Sequence, residues 1–127
     1  MIDKTKAFSG FSVNDLQKAK DFYGNTLGLE VSEAPMPGAL NLKINGNTIF
    51  VYEKDNHEPA TFTILNFPVD SVEKTVDELQ QKGVTFEHYS GGELATNDKG
   101  IHEDVNMKIA WFKDTAGNFL SVLEGKM

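Results

Sequence analysis

Cysteine is absent from the 127 residues, and so is arginine: all twelve basic side chains are lysines, set against nineteen acids for a formal charge of −7. Without cysteine there are no disulfides, no thiolate metal sites and no thiol nucleophile. Without arginine the chain lacks the planar fork that clamps carboxylates and phosphates in two-point fashion. With no basic stripe it is a poor partner for nucleic acid. No apolar run approaches the roughly 18 residues of a membrane span, and Met1-Ile-Asp-Lys-Thr-Lys does not read as a signal peptide. A soluble, cytoplasmic protein with no nucleic-acid or membrane partner is therefore expected. The hydrophobic content of 39% is that of a folded chain, long enough to bury roughly two-thirds of its unfolded surface. The charge is uneven. Residues 1–56 carry a net −1 and residues 57–127 a net −6, and Glu87, Glu93, Asp98, Glu103 and Asp104 are accompanied only by Lys99. That acidic stretch is a solvated loop or a rim that attracts cations.

What is present is a repeat. Phe11, Val13, Leu16, Lys18 and Asp21 recur in type as Phe67, Val69, Val72, Lys74 and Asp77, at an offset of 56. Gly46-Asn-Thr-Ile-Phe-Val-Tyr-Glu recurs as Gly117-Asn-Phe-Leu-Ser-Val-Leu-Glu, at an offset of 71. The second copy thus holds extra residues between its helix and its closing hairpin, where the polar stretch Ser90 to Asn106 lies. Each copy reads as βαβββ. In the first, a strand over 7–13 leads to a helix capped by Asn14 with Gln17, apolar at Leu16, Ala19, Phe22, Tyr23 and Leu27 and ended by Gly28. Strands follow at 29–32, 39–44 and 48–53, the last two joined by Asn45-Gly46, a tight-hairpin signal. In the second, a strand over 61–67 leads to a helix capped by Asp70 with Glu73, buried through Val72, Val76 and Leu79 and stopped by Gly83. Strands are predicted at 84–89, 108–113 and 118–124, and His57-Glu58-Pro59 links the copies. The fold class is α+β: two βαβββ modules, about 6–56 and 60–125, within one domain.

Strand alternation divides the faces. Phe11, Val13, Phe67 and Val69 are expected beneath the helices, which turns Phe8, Gly10, Ile64 and Asn66 to the opposite, concave side. Phe50 and Tyr52 match Ser121 and Leu123 in the closing strands, and either Trp111 or Phe112 joins them. These residues fill the cup as core or line it as a binding surface.

Val13-Asn-Asp-Leu-Gln-Lys-Ala-Lys-Asp-Phe-Tyr with Leu27-Gly28, and Phe112-Lys-Asp-Thr-Ala-Gly-Asn near the end, within paired βαβββ units, resemble the vicinal oxygen chelate superfamily of glyoxalase I, bleomycin-resistance proteins and extradiol dioxygenases. The resemblance covers about residues 6–125. It implies eight strands rolled into two cup-shaped sheets around a ligand, and chains that pair as homodimers. It also implies, in the family's enzymes, a divalent metal at four repeat-related positions. Here these fall on Phe8, Phe50, Ile64 and Ser121, of which only the serine hydroxyl is a donor at all. No metal and no cofactor is expected.

The expected site is an aromatic cup of Phe8, Phe50, Tyr52, Ile64, Trp111 and Leu123, with Asn66 and Ser121 as polar points and His57 at its edge. Its ligand is a small molecule, apolar or cationic. This makes the chain a metal-free binder resembling the drug-sequestering members, or else a glyoxalase-like lyase, isomerase or dioxygenase-related enzyme acting through non-family residues such as Tyr52, Asn66 or His57. His88 reads as solvent-facing, His102-Glu103-Asp104 as loop, and Ser90–Asn106 as a lid.

Overall fold

The computed structural model describes residues 1–125. The chain divides into two compact units, Met1–Pro59 and the residues from Ala60 on. Each holds a four-stranded mixed sheet, with one parallel pair at an edge. The first comprises β1 (Ser9–Val13), β2 (Glu30–Glu33), β3 (Ala39–Ile44) and β4 (Asn47–Glu53), in the order β1-β4-β3-β2. The second comprises β5 (Thr63–Pro68), β6 (Ile101–Glu103), β7 (Met107–Lys113) and β8 (Phe119–Gly125), in the order β5-β8-β7-β6. Helices α1 (Leu16–Asp21) and α2 (Val72–Gln81) connect the first two strands of each unit.

The helix-side faces are apolar in both sheets, although in β8 the opposite face is buried as well. Val13, Leu40, Leu42 and Val51 are buried in the first unit, and Phe11 lies against Tyr23 with ring centroids 5.7 Å apart. In the second unit Ala110, Phe112, Leu120 and Val122 are buried, as are Val72, Val76 and Leu79 of α2, and Phe67 is the register partner of Val122.

Each helix begins one residue later than the capping pattern predicts. The last extended residue before α1 is Asp15, not Asn14, and its carboxylate accepts from the Lys18 amide at 3.0 Å. Before α2 it is Ser71, not Asp70, and its hydroxyl accepts from the Lys74 amide at 3.2 Å. The shift makes Leu16 and Val72 the first helical residues. Their amides, which no helical carbonyl can reach, are taken by the glutamates that end the repeated strand motif. Glu53 accepts from the Leu16 amide at 2.9 Å, and Glu124 from the Val72 amide at 2.8 Å. The carboxylates also oppose the positive end of the helix dipole. Val72 is fully buried, so in Glu124→Ala its amide loses its acceptor. Denaturant unfolding should show a loss of about 1–2 kcal/mol, the scale of a helix cap. A loss below a few tenths would mean water replaces the carboxylate.

The first helix is not regular to Leu27. From Phe22 to Thr26 the turn widens, closed by the Leu27 amide on the Phe22 carbonyl at 2.9 Å. The wider turn brings both Phe22 and Tyr23 into the interior, their rings perpendicular at 5.2 Å.

The strand predicted over 84–89 also differs. It reduces to one bridge, Phe86 with Phe112, and the Glu87 amide on the Trp111 carbonyl at 2.8 Å. The edge of the sheet is then resumed by β6, which lies inside the stretch predicted to be loop and pairs Ile101, His102 and Glu103 with Ala110, Ile109 and Lys108. The inserted residues therefore interrupt one edge strand, whose two pieces are both held by β7. Between the pieces the chain is folded on itself. The Thr96 amide meets the Tyr89 carbonyl, the Asn97 amide meets the Ile101 carbonyl, and Lys99 pairs with Asp77 of α2 at 3.2 Å. The stretch is tied to its own module rather than standing off as a lid.

Candidate functional site

On the first sheet, the face turned from α1 carries an aromatic row. Phe8 meets Phe50 edge-on at 6.1 Å, and Phe50 stacks on Tyr52 at 5.8 Å. Phe8 is 67% exposed and Tyr52 37%, whereas Phe50 between them is half-buried. Gly10 makes the row possible. A Cβ there would meet the Phe50 carbonyl oxygen at 3.0 Å and its ring carbon at 3.6 Å, so the Phe50 ring rests on bare backbone. Asn41, the register partner of Phe50 on β3, sets an amide beside the row. Asn41 lies between the buried Leu40 and Leu42, so alternation along β3 turns it to this face, a position the sequence analysis does not name. His57 is half-buried, and its Nδ1 is 2.7 Å from the hydroxyl of Ser12, the β1 residue opposite Tyr52.

The corresponding face of the second sheet is more filled. Ser121 is fully buried and donates to the Asn66 carboxamide oxygen at 2.5 Å. Leu123 is buried beside Ile109 of β7. Ile64 sits at a bulge, where the register of β5 against β8 slips between Thr63 and Leu65. Of the adjacent pair on β7, Phe112 turns inward to Phe86 at 5.3 Å and Trp111 turns the other way, opposite Ser121. Around Trp111 stand two further rings, Tyr89 and His102. Tyr89 lies at 5.8 Å and 71°, and His102 at 6.3 Å and 37°. His102, predicted to be loop, is on β6 because its pairing with Ile109 directs it to the side of Trp111. Its Nδ1 is 3.0 Å from the Ala95 carbonyl, and its Nε2 is 4.0 Å from the Asp104 carboxylate. Burial, and then the charge of Glu87, push the Tyr89 hydroxyl above its ordinary pKa. His88 remains at the mouth of an open recess shared with Tyr89, Ser90 and Glu93.

Two βαβββ units, each with a helix on one face of its sheet and aromatic side chains on the other, make an α+β architecture. Residues 7–122 match the Glyoxalase/Bleomycin resistance protein/Dioxygenase superfamily, and the chain belongs to it. It is 28% identical over 124 residues to the uncharacterized protein YraH of Bacillus subtilis, a match spanning 87% of this chain and 90% of that one. Among solved structures it is similar to the genomically encoded fosfomycin resistance protein FosX of Listeria monocytogenes, with a TM-score of 0.73 and 18% identity over 100% of this chain and 97% of that one. It is also similar to an antibiotic binding protein from a Streptomyces species, with a TM-score of 0.67 and 22% identity over 94% and 93% of the two chains. At these identities the structures share the fold. Among the described residues no helix is long and apolar enough to cross a membrane.

The fold family implies a divalent metal in its enzymes, and the donor set here does not fit one. The first module offers Phe8 and Phe50, two rings packed on each other. The second offers the Ile64 alkyl group and a Ser121 hydroxyl already committed to Asn66. Replacing a dication's hydration shell takes several oxygen or imidazole donors. Among the described residues no three histidine or carboxylate side chains form such a group.

Proposed function

We propose that this protein is a metal-free small-molecule binder of the superfamily, cytoplasmic and homodimeric, which holds an apolar or cationic ligand against aromatic side chains rather than transforming it at a metal. The observation that carries this reading is the row Phe8–Phe50–Tyr52: three rings in contact on a sheet face, with Phe8 largely and Tyr52 partly exposed. Large apolar side chains held open to solvent by a glycine floor are costly to the free protein, and a ligand that covers them recovers that cost. A flat or bulky apolar body would lie on the rings, with Asn41 at its flank. His57 stands at the edge of this row, and on the second module Trp111, Ile64, Leu123, Asn66 and Ser121 form the corresponding proposed binding face. The partly filled second face gives them a supporting share, and Phe50 the dominant one.

Native mass spectrometry of freshly purified protein tests the proposal in one measurement. The expected spectrum is a dimer, carrying an organic adduct and no divalent metal. The dimer interface should bury at least roughly 1,000 Å² in total. Phe50→Ala should weaken binding of the recovered adduct by roughly tenfold or more, since ring contact adds about 0.5–1.5 kcal/mol beyond burial. Stoichiometric zinc, nickel or manganese in the spectrum would instead restore a glyoxalase-type enzyme as the leading reading.

A further inference from the structure

The hairpin joining β3 to β4 holds a reactive pair that no ligand reading uses. Asn45-Gly46 is its two-residue turn, closed by the register pair Ile44 and Asn47. Both turn residues sit at positive φ, 53° and 76°, as the tightest hairpins require. Both are exposed, and a Cβ added at Gly46 would meet nothing within 4 Å. Among the described residues the Gly46 amide donates to no acceptor. The hydrogen bond made at Asn45 is to its main-chain carbonyl, from Asn47 Nδ2 at 3.4 Å, which leaves the Asn45 carboxamide to turn on its own torsions.

The chemistry follows from these neighbours. The Gly46 nitrogen attacks Asn45 Cγ. The new N–Cγ bond closes a succinimide ring, the Cγ–Nδ2 bond breaks, and the proton from the Gly46 nitrogen departs with Nδ2 as ammonia. Water then opens the ring at either carbonyl. One opening gives aspartate. The other gives isoaspartate, in which the main chain runs through Cβ and gains a methylene. Water is the sole co-reactant, and nothing is oxidised or reduced. Glycine matters because closure swings the chain through torsions that a following side chain would obstruct. The sequence has ten asparagines, and Asn45 alone precedes a glycine. After the others come Asp, Thr, Leu, His, Phe or Met.

We infer that Asn45 is a site of spontaneous, water-driven modification, through which the folded protein ages into aspartyl and isoaspartyl forms. The two products act differently on the fold. Asp-Gly suits the same turn as Asn-Gly, so the aspartyl form keeps the hairpin and takes the formal charge from −7 to one unit lower. The isoaspartyl form places an extra methylene in a turn without slack, between Ile44 and Asn47 and the next register pair, Lys43 and Thr48. The register of a hairpin is set by its turn, so the start of β4 is loosened, two residues before Phe50. The inference is independent of any ligand.

The full chain is aged in mildly alkaline buffer, both folded and in urea, and then digested with trypsin. The peptide 44–54 holds Asn45 and Asn47 together, so fragmentation compares the two within one molecule. Conversion at Asn45 should run at least roughly fivefold faster than at Asn47 or any other asparagine. It should proceed in the folded chain as well as in urea, because an exposed turn opens at little cost. Conversion that spares Asn45, or that occurs there only in urea, would overturn the inference. Ion exchange separates the aged chains by their added charge, and reversed-phase mapping of the peptide tells aspartyl from isoaspartyl. Asn45→Asp supplies the aspartyl product directly and should share the urea midpoint of the unmodified chain. The isoaspartyl fraction should unfold at lower urea. If it unfolds together with Asn45→Asp, the lengthened turn disturbs nothing and the structural half of the inference falls.

Discussion

Replacing Phe112 by alanine should lower the unfolding free energy by about 3–5 kcal/mol, the range for deleting a fully buried ring that its surroundings cannot collapse to fill. Phe112 is completely buried, tilts against Phe86 at 5.3 Å, and lies opposite the equally buried Leu120 of β8. It also forms the single bridge by which the first piece of the edge strand is fastened to β7. Removing the ring loses core contacts and loosens that attachment together. For a chain of this size the midpoint should fall by about 10 °C or more. Urea unfolding followed by circular dichroism checks the magnitude, and Phe8→Ala serves as the contrast. Phe8 is 67% exposed, so its removal should change stability little. A Phe112→Ala loss under about 1 kcal/mol would mean that the second module repacks freely, contrary to close-packed interiors generally.

Gly100→Ala is the second substitution with a large expected effect, although it adds only one methyl group. Gly100 has φ +83°, and a Cβ there would fall 2.8 Å from the Glu87 carbonyl oxygen and 3.2 Å from the Phe86 Cβ. The left-handed conformation alone costs a non-glycine residue about 1–2 kcal/mol, and the contact is with backbone, which cannot swing aside. The chain passes this point immediately before β6, so relief of the clash must push apart the two pieces of the edge strand. An overall loss of about 2–4 kcal/mol is expected from strain and displacement together. The emission of Trp111 in the folded protein should also change, because His102 rides on the displaced strand. Gly91→Ala, with φ +72° and nothing within 4 Å of the added Cβ, isolates the conformational part. If the two variants are equally stable, the close approach at Gly100 carries no weight.

The parts of this fold that repeat along the chain were legible in the sequence. Alternation and helical spacing report which face of an element is apolar, and the two copies corroborated each other, so the faces of β1, β4, β5 and β8 followed. The identity of Glu53 and Glu124 was visible as a match between the copies, but their role was not. A strand-end carboxylate reaching a helix amide 37 residues away in one module and 52 in the other leaves no periodic trace. The caps moved by one residue for a related reason: Asn14 and Asp15, like Asp70 and Ser71, are both competent caps, and the strand-end glutamates choose between them. The edge strand was misplaced because its second piece is three residues long, too short to show alternation inside a polar stretch. That error hid His102 among loop residues and left Tyr89 apart from Trp111. The aromatic row of the first module was legible because Phe50 and Tyr52 alternate along the seven-residue β4 and Phe8 directly precedes β1 in the same alternation.

The ties from Glu53 to α1 and from Glu124 to α2 have a consequence for how the protein is made. In each module the helix leaves the ribosome early and the glutamate that completes its first turn emerges at the end of β4 or β8, the last strand of that module. Nascent α1 and α2 therefore lack that acceptor until synthesis of their module is all but finished, and short helices without tertiary partners are marginal in water. Completion of each helix start and closure of its sheet are therefore expected to coincide. A chain that stops short of Glu53 or Glu124 leaves the first turn of that helix without its acceptor.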